Sequence, residues 1–245
     1  MFLSLIIPAY NEAGRIGPSL EKAFRYFESK DYDVELIVVD DGSSDNTIQA
    51  VDIAFAKKPP MLERVSTRLI PLGVNTGKGA AVKRGMLAAS GAVRIFTDAD
   101  FSTPIAEVGK IIQPIASGEC DIVIGSRAAE GRALVKKHQP WHREMMGRFY
   151  NVLVQLLVFR GIKDTQCGFK GFSAAAAEKV FAKQQVMGFS FDVEILYLAH
   201  RYGFRIREIA IEWYNDERTT VGAVTDSARM FWELLRIRNL HRNDR

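Results

Sequence analysis

Short apolar runs alternate with longer amphipathic segments along the first half of the chain. The apolar runs predict strands at 3–7, 34–39, 68–71, 93–97 and 121–125. Helical periodicity between them predicts helices at 13–29, from 44 or 45 to about 56, at 77–89 and after Pro104. Strands that alternate with helices form a mostly parallel sheet covered by helices on both faces, so the pattern predicts a Rossmann-like α/β fold.

The second half of the chain is less regular. The basic run 130–139 predicts a loop, and the apolar pattern at 143–159 predicts a helix. A polar turn at 164–172 leads into a strand, 205–213 contains another strand, and 226–240 forms a last, arginine-rich helix. We expect one domain over 1–215, followed by a basic amphipathic helix within 216–245 that packs on the domain or on a membrane surface.

Composition narrows the class of protein. The chain has 245 residues, of which 47% are hydrophobic and 25% charged, and its net charge of +4 does not indicate a general polyanion binder. Nucleic-acid binding is not expected, because no such motif is present and the basic residues accompany apolar helices. Cys120 and Cys167 have no metal-ligand spacing and indicate reduced thiols in a cytoplasmic protein. No apolar run approaches the roughly 20 residues that span a bilayer.

Two aspartates follow the fourth predicted strand in the stretch DADFS. Asp98 and Asp100 repel each other unless a cation or a proton lies between them. Hard carboxylate oxygens suit Mg²⁺ or Mn²⁺, which commonly take one or two carboxylates together with substrate phosphates. Ser102 can add a ligand or a water contact. The alternative is that these polar residues cap the helix after Pro104, and the D-x-D pattern alone does not decide between the two interpretations.

The stretch DDGSSDNT follows the second predicted strand. Asp40 and Asp41 can accept hydrogen bonds from a nucleobase or a ribose, since ligands bind beyond the carboxyl ends of parallel strands. Gly42 permits a tight turn, and Ser44 or Asp45 can cap the next helix. Capping alone leaves the two adjacent acids unexplained.

Two further stretches, PAYNE and GVNTGKG, also follow predicted strands. Pro8 is expected to end the first strand, Tyr10 to stack on a base or simply to pack, and Glu12 to accept from ribose hydroxyls. The second stretch has neither the spacing nor the Ser or Thr of a Walker A motif. Glycines before a helix, together with Lys78, still suit a diphosphate at the helix N-terminus.

The motifs PAYNE, VDDGSSDNT, NTGKGAAVKRGM and DADFS together resemble the inverting family 2 glycosyltransferases. This resemblance implies the GT-A fold, a nucleotide-sugar donor and Mg²⁺ or Mn²⁺. GSR at 125–127, DTQCGFKGF at 164–172 and FDVEILYLAHRYG at 191–203 resemble a narrower branch, the polyprenyl- or dolichyl-phosphate sugar synthases. DTQCGFK is most similar to the dolichyl-phosphate glucosyltransferases, and the likeness extends from about residue 2 to 213.

The resemblance implies roles for individual residues. The residues implied to bind the nucleotide sugar are Pro8, Ala9, Tyr10, Glu12, Asp40, Asp41, Lys78, Asp98, Ala99, Asp100 and Gln166. The residues implied to bind the metal are Asp98, Asp100 and Ser102. Ser102 stands where some relatives carry a metal-contacting Gln. The catalytic set is Asp98, Asp100, Asp164, Arg127 and Arg143, in which Asp164 orients the sugar or the metal side. The residues implied to bind the acceptor phosphate are Arg127, Arg143 and Arg218. Arg218 lies in NDERTTVG, a stretch that lacks the lysine usual in relatives.

The expected activity is transfer of a hexose, with glucose from UDP-glucose favoured, to a polyprenyl or dolichyl phosphate. A lipid phosphate is already anionic near neutral pH, so arginines matter more than a strong base. The alternatives are a soluble transferase that extends a saccharide or glycolipid, and a non-catalytic nucleotide-sugar-binding module. Basic and apolar residues mix at 132–148 and 229–245, which predicts peripheral binding at the cytoplasmic membrane face, or else core-packed helices with a solvated basic face.

Overall fold

The computed structural model of the protein describes residues 2–127, 135–137, 150–155, 161–214 and 225–242. Its strands are β1 (Leu3–Ala9), β2 (Val34–Asp40), β3 (Val65–Pro71), β4 (Val93–Phe96), β5 (Ile122–Ser126), β6 (Val135–Lys137), β7 (Lys170–Ser173), β8 (Ile206–Ala210) and β9 (Trp213–Tyr214). Its helices are α1 (Ile16–Glu28), α2 (Thr47–Ala56), α3 (Lys78–Ala88), α4 (Val108–Ala116), α5 (Ala174–Lys183), α6 (Phe191–Arg201) and α7 (Thr225–Leu240).

The main sheet has seven strands in the order β3-β2-β1-β4-β7-β5-β8. All neighbouring pairs are parallel except those of β7, which runs antiparallel between β4 and β5. The predicted α/β class with a mostly parallel sheet is therefore confirmed. A second sheet joins the short strands β6 and β9.

Helices cover both faces of the sheet because its central strands are apolar on both faces. Along β1 the side chains of Leu3, Leu5 and Ile7 pack with α1, α2 and α4, whereas Ile6 packs with α3, α5, α6 and α7. Every residue of β1 and β2 is buried, as expected for strands in the middle of a covered parallel sheet. Both cysteines are unpaired and buried.

Several predicted elements differ in detail. Strand β1 does not end at Pro8, because Pro8 and Ala9 remain paired with β2 after the pairing with β4 has stopped at Ile6. Strand β3 is longer than predicted because it pairs along the whole of β2. The helix after Pro104 begins as a 3₁₀ turn at Ile105–Glu107. The run predicted as a loop at 130–139 contains β6, which pairs with β9.

Helix α7 confirms the helix predicted near the end of the chain. Leu234 and Ile237 are buried in the core cluster that includes α6, and the buried His241 lies 2.6 Å from Glu194 of α6. The domain boundary at 215 stays a prediction, and of the helix predicted at 143–159 only 150–155 is described, where it is helical. Within the described residues, no helix is long and apolar enough to cross a membrane.

Candidate active site

The topology brings the turn at 164–169 to the same sheet edge as the polar ends of β1, β2 and β4. Because β7 runs opposite to β4, its first residue, Lys170, pairs with the last residue of β4, Phe96. The amide of Gly125, near the end of β5, donates to the carbonyl oxygen of Phe169 over 2.9 Å. Residues distant in the chain therefore meet where ligands bind in parallel sheets.

Asp98 is held from two sides. The ammonium of Lys78 lies 2.5 Å from its Oδ1 atom. On the other side, a Cβ atom added to Gly168 would lie only 2.1 Å from Oδ2. Lys78 is the first residue of α3 and follows Gly77, whose φ of +106° and close approach to the Met187 carbonyl require glycine.

Asp100 lies beside Asp98, and its side chain is only 19% exposed. One carboxylate oxygen accepts from the Ser102 amide over 2.9 Å, and the other lies 4.0 Å from Nη1 of Arg15. Burial and the neighbouring charge of Asp98 raise the pKa of Asp100 above its ordinary value. The 3₁₀ turn that follows starts after Pro104 without a side-chain cap, which does not favour the capping alternative.

The two aspartates fit a hard divalent cation. A cation would relieve the repulsion that raises the pKa of Asp100. Among the described residues, no cluster of three or more His, Cys, Asp or Glu side chains could enclose a metal. A pair of carboxylates with the remaining positions left to substrate phosphates is a common arrangement for Mg²⁺.

The raised pKa of Asp100 predicts a gain in stability for Asp100→Asn. The folded protein holds the Asp100 proton more tightly than the unfolded chain, so stability is lost as pH rises from 3.8, the ordinary value, through the raised pKa. At pH 7 without metal, Asp100→Asn should therefore melt a few degrees higher than the wild type, because the amide keeps the bond from Ser102 without the buried charge.

The difference in melting temperature should shrink as the pH falls through the raised pKa toward 3.8. Asp52→Asn, at an exposed carboxylate on α2, is the control and should change little. An Asp100→Asn variant that melts below the wild type at pH 7 would contradict this interpretation of the pKa.

The residues predicted to hold the nucleoside lie around the ends of β1 and β2. Pro8 and Ala9 are the last two residues of β1, and Tyr10 follows them with 38% of its surface exposed. The Glu12 carboxylate accepts from Nε and Nη2 of Arg15 over 2.5 and 2.6 Å. Burial raises the pKa of Glu12 despite the opposing effect of Arg15, an arginine that sequence reasoning did not single out.

The two adjacent aspartates after β2 have different partners. Asp41 accepts three hydrogen bonds of 2.8 to 2.9 Å, from the amide and hydroxyl of Thr76 and from the amide of Gly77. It therefore fixes the loop that precedes Lys78. Asp40 accepts from the Ser43 amide through Oδ2, whereas its buried Oδ1 has no partner among the described residues. Asp40 therefore keeps an acceptor for a nucleoside N–H, and the nucleoside role of both stays a prediction.

Helix α2 shows which residue near this turn occupies the cap position. Asn46 stands at the N-cap position rather than Ser44 or Asp45, but its side chain makes no capping hydrogen bond. The carboxylate of Asp45 nevertheless accepts from the Thr47 amide over 3.0 Å and from the Ala13 amide over 3.2 Å. Asp45 thereby joins the start of α2 to the segment that follows β1.

Arg127 and Asp164 form a bidentate ion pair. Nε and Nη2 of Arg127 each lie 2.8 Å from a different oxygen of Asp164, and the Arg127 amide donates to the same carboxylate over 2.9 Å. Burial alone would raise the pKa of Asp164, but the guanidinium and these hydrogen bonds lower it. Burial would lower the pKa of Arg127, but the charge of Asp164 and, less strongly, that of Asp98 raise it. Asp164 therefore orients Arg127.

The remaining predicted residues divide into described and undescribed ones. Ala99 is buried between the two aspartates, and Ser102 contacts Asp100 through its amide. Gln166 has a buried Nε2 atom without a hydrogen-bond partner among the described residues, so it can donate to a ligand. Arg143, Arg218 and the basic run 132–148, apart from the backbone of β6, lie outside the described residues.

Sequence reasoning missed two buried charged residues behind Asp98. Lys170 and Asp192 are paired with each other, and Lys170 is completely inaccessible to solvent. The signal in the sequence was a lysine within the apolar stretch GFKGF, which indicates a buried cation. A buried cation needs a partner of opposite charge.

A family model described as "Glycosyl transferase family 2" matches residues 4–181. The chain is 34% identical to the dolichyl-phosphate beta-glucosyltransferase of Dictyostelium discoideum and 37% identical to that of Saccharomyces cerevisiae. Each alignment covers 97% of this chain and 74% of the relative. The enzyme of the same name from Homo sapiens is 33% identical over 96% of this chain and 74% of its own length.

Solved structures show the same fold at low sequence identity. Glucosyl-3-phosphoglycerate synthase from Mycobacterium tuberculosis in complex with UDP superposes with a TM-score of 0.68 at 18% identity, over 96% of this chain and 79% of that one. Its complex with Mn²⁺ and UDP-glucose gives a TM-score of 0.66 at 18% identity, over 96% and 78% of the two chains. The expected GT-A fold is thus confirmed, and together with the family match and the relatives this means that the chain belongs to glycosyl transferase family 2 and is a glycosyltransferase.

Proposed function

We propose that the chain transfers glucose from UDP-glucose to dolichyl phosphate or a similar polyprenyl phosphate, with inversion at the anomeric carbon. The observation that carries this proposal is the turn at 164–169, which places Gly168 against Asp98 and Asp164 against Arg127. One short turn therefore contacts both a carboxylate for the donor and an arginine for an acceptor phosphate. The names of the relatives, dolichyl-phosphate beta-glucosyltransferases, support the choice of substrates.

The reaction forms one bond and breaks another at the anomeric carbon. An oxygen of the acceptor phosphate bonds to that carbon while the bond to the diphosphate oxygen breaks, and UDP leaves. A phosphate monoester has a second pKa of about 6, so the nucleophile needs no strong base. Asp164, which is engaged by Arg127 and has a lowered pKa, is correspondingly a poor base. This favours a phosphate acceptor over the hydroxyl of a saccharide.

The donor diphosphate would bind beside Asp98 and Asp100. These two carboxylates would hold Mg²⁺ or Mn²⁺, which when bound supplies positive charge to the leaving diphosphate. Lys78 adds a cation at the N-terminus of α3, where the helix dipole also favours an anion. Asp40 and Tyr10 would hold the nucleoside, and the Nε2 atom of Gln166 would donate to the sugar.

The acceptor phosphate would bind to Arg127. Its bonds to Asp164 use Nε and Nη2, so among the described contacts Nη1 is left to face a ligand. Arginine suits this task because its planar guanidinium keeps its geometry while it binds two anions. Arg143 and Arg218 remain further candidates for the same phosphate.

A thermal-shift comparison of donors tests the choice of nucleotide sugar. UDP-glucose with Mg²⁺ should raise the melting temperature by several degrees at saturating concentration, and GDP-mannose or dTDP-glucose should raise it much less. Asp98→Asn should lose most of the shift. An equal response to all three donors would overturn the assignment of UDP-glucose.

Gly168→Ala tests the contact between the 164–169 turn and Asp98. The added methyl group would lie 2.1 Å from Oδ2 of Asp98, so the carboxylate must move. We expect kcat/KM for UDP-glucose to fall roughly 100-fold, since a small misplacement of a catalytic group has effects of that size. Gly109→Ala is the matched control, because its Cβ would find nothing closer than 3.6 Å. Equal activity of the two variants would contradict the proposed contact.

We also propose that α7 lies at the cytoplasmic surface of a membrane. Trp232 is 65% and Leu235 40% exposed, and the neighbouring Arg236 and Arg238 are exposed as well. Basic and aromatic residues on one exposed helix favour an anionic membrane surface. A cavity of about 450 Å³ between α6 and α7 also has three arginines in its wall, Arg201, Arg238 and Arg242.

Flotation with phosphatidylserine-containing vesicles tests the membrane proposal. The wild type should float at low salt and largely dissociate at high salt. Trp232→Ala/Leu235→Ala should bind roughly tenfold more weakly, because two apolar side chains no longer enter the interface. Ile53→Ala, at an exposed apolar residue of α2, should float like the wild type. No flotation of the wild type at low salt would refute the proposal.

A further inference from the structure

Two buried residues behind the site form a charge pair that the proposed chemistry does not use. Lys170 begins β7, and its side chain is fully inaccessible to solvent. Its ammonium donates to the Asp192 carboxylate and, over 2.6 Å, to the carbonyl oxygen of Cys167. Asp192 is the second residue of α6, and its side chain is 5% exposed.

Lys78 lies between this buried charge pair and Asp98 in the order of interacting charges. Helices α3 and α6 begin side by side, since a Cβ atom added to Gly79 would lie 2.7 Å from Cβ of Phe191. The charges of Asp98 and Asp192 both raise the pKa of Lys78 against the opposing effect of burial. Negative and positive charges thus alternate in the order Asp98, Lys78, Asp192, Lys170.

Lys170 supports Asp98 along two routes. It pairs with Asp192, whose charge, together with that of Asp98, raises the pKa of Lys78, and the ammonium of Lys78 holds Oδ1 of Asp98. Through the carbonyl of Cys167 it fixes the peptide that leads into Gly168, which abuts Oδ2 of the same carboxylate. One buried ammonium therefore bonds directly to the peptide behind the Oδ2 contact, and it acts on the Oδ1 contact through charge alone.

We propose that Lys170 and Asp192 are positioning residues that hold Lys78 and the Gly168 turn so that Asp98 meets the metal and the donor diphosphate. The inference rests on the proposed function, because it needs a donor that binds at Asp98. Stability alone is a weak reason for such a pair, since apolar residues of similar volume commonly replace buried ion pairs without loss.

Replacing both charged residues by apolar ones tests the positioning role. Lys170→Met/Asp192→Leu removes both charges and keeps an apolar volume, so we expect its melting temperature to stay within a few degrees of the wild type. Binding is measured by calorimetry with UDP in the presence of Mn²⁺, and with Mn²⁺ alone. The dissociation constants of the pair variant should rise roughly 10- to 100-fold, the usual effect of losing support behind a metal ligand.

A double-mutant cycle separates positioning from a general disturbance of the fold. In a Lys78→Met background, Lys170→Met/Asp192→Leu should weaken binding much less than it does in the wild type, because Lys78 carries one of the two routes. Arg94→Met/Glu178→Leu is the matched control: it removes another pair with a buried cation, at β4, and should leave UDP and Mn²⁺ binding unchanged.

The outcomes distinguish this inference from the proposed function. A wild type that binds neither UDP nor Mn²⁺ would overturn the proposed function itself. A folded pair variant that binds both as tightly as the wild type would overturn only the positioning role. If the Lys170→Met/Asp192→Leu variant fails to fold, Lys170→Gln/Asp192→Asn keeps a hydrogen bond without the charges. Its dissociation constants for UDP with Mn²⁺ and for Mn²⁺ alone then test the positioning role.

Discussion

Asp98→Asn is expected to lower kcat/KM for glucosyl transfer by about 10³-fold, the scale of losing one preorganised electrostatic interaction in a transition state. The amide has nearly the shape of the carboxylate, so it still fits against Gly168. It has no charge, however, and therefore neither attracts a divalent cation nor balances the ammonium of Lys78. The initial rate with UDP-glucose, Mg²⁺ and dolichyl phosphate measures the effect.

Binding should change together with catalysis in Asp98→Asn. UDP in the presence of Mn²⁺ should bind at least tenfold more weakly, whereas the circular dichroism spectrum should stay the same. Asp52→Asn on α2 removes one exposed carboxylate and should keep full activity. If Asp98→Asn retained more than a tenth of the wild-type rate, Asp98 would not hold the donor.

Asp164→Asn has the second largest expected effect, because it breaks the bidentate pair with Arg127. We expect kcat/KM for dolichyl phosphate to fall about 100-fold, since a loosened guanidinium no longer presents a fixed fork to the acceptor phosphate. The free energy of unfolding at pH 7 should fall by about 2–3 kcal/mol, somewhat less than for a fully buried pair because Arg127 is partly exposed.

The pH dependence of this stability loss has a definite sign. The pKa of Asp164 is lowered in the folded protein, so its stabilising contribution is complete above 3.8, the ordinary value, and disappears as pH falls through the lowered pKa. The wild type and Asp164→Asn should therefore converge in stability as the pH falls from 3.8 through the lowered pKa. Chemical denaturation at several pH values measures the difference.

Asp121→Asn is the matched control for the Arg127–Asp164 pair. It breaks the more exposed pair between Asp121 and Arg205, so it should change the stability little and leave the kinetics unchanged. Near-normal turnover by Asp164→Asn would mean that Arg127 needs no partner to bind the acceptor.

Local patterns predicted most of the fold. The strands β1, β2, β4 and β5 are apolar enough to identify without further context, because a strand covered on both faces is apolar throughout. The antiparallel orientation of β7 could not be predicted, since it depends on pairing with β4 and β5 at large separation in the chain. That orientation brings Gly168 to Asp98, so a central feature of the site was also beyond local reasoning.

The composition of the site was easier to predict than its internal bonds. The metal role of Asp98 and Asp100 was predicted from their spacing, and the place of DTQCGFK in the site was predicted from the resemblance. The nucleoside role of Asp41 stays a prediction, but its hydrogen bonds from Thr76 and Gly77 could not be predicted from the sequence. Sequence reasoning also treated Arg127 and Asp164 as separate residues, because no sequence pattern states that residues so far apart share a carboxylate bond.

Transfer of labelled glucose to a lipid phosphate tests the central claim most directly. The purified protein is incubated with UDP-[¹⁴C]glucose, Mg²⁺ and dolichyl phosphate, and the product is partitioned between organic solvent and water. The proposed function predicts organic-soluble label that requires the lipid phosphate and is nearly absent with Asp98→Asn. Label that appears only in a water-soluble saccharide, or no transfer at all by the wild type, would contradict it.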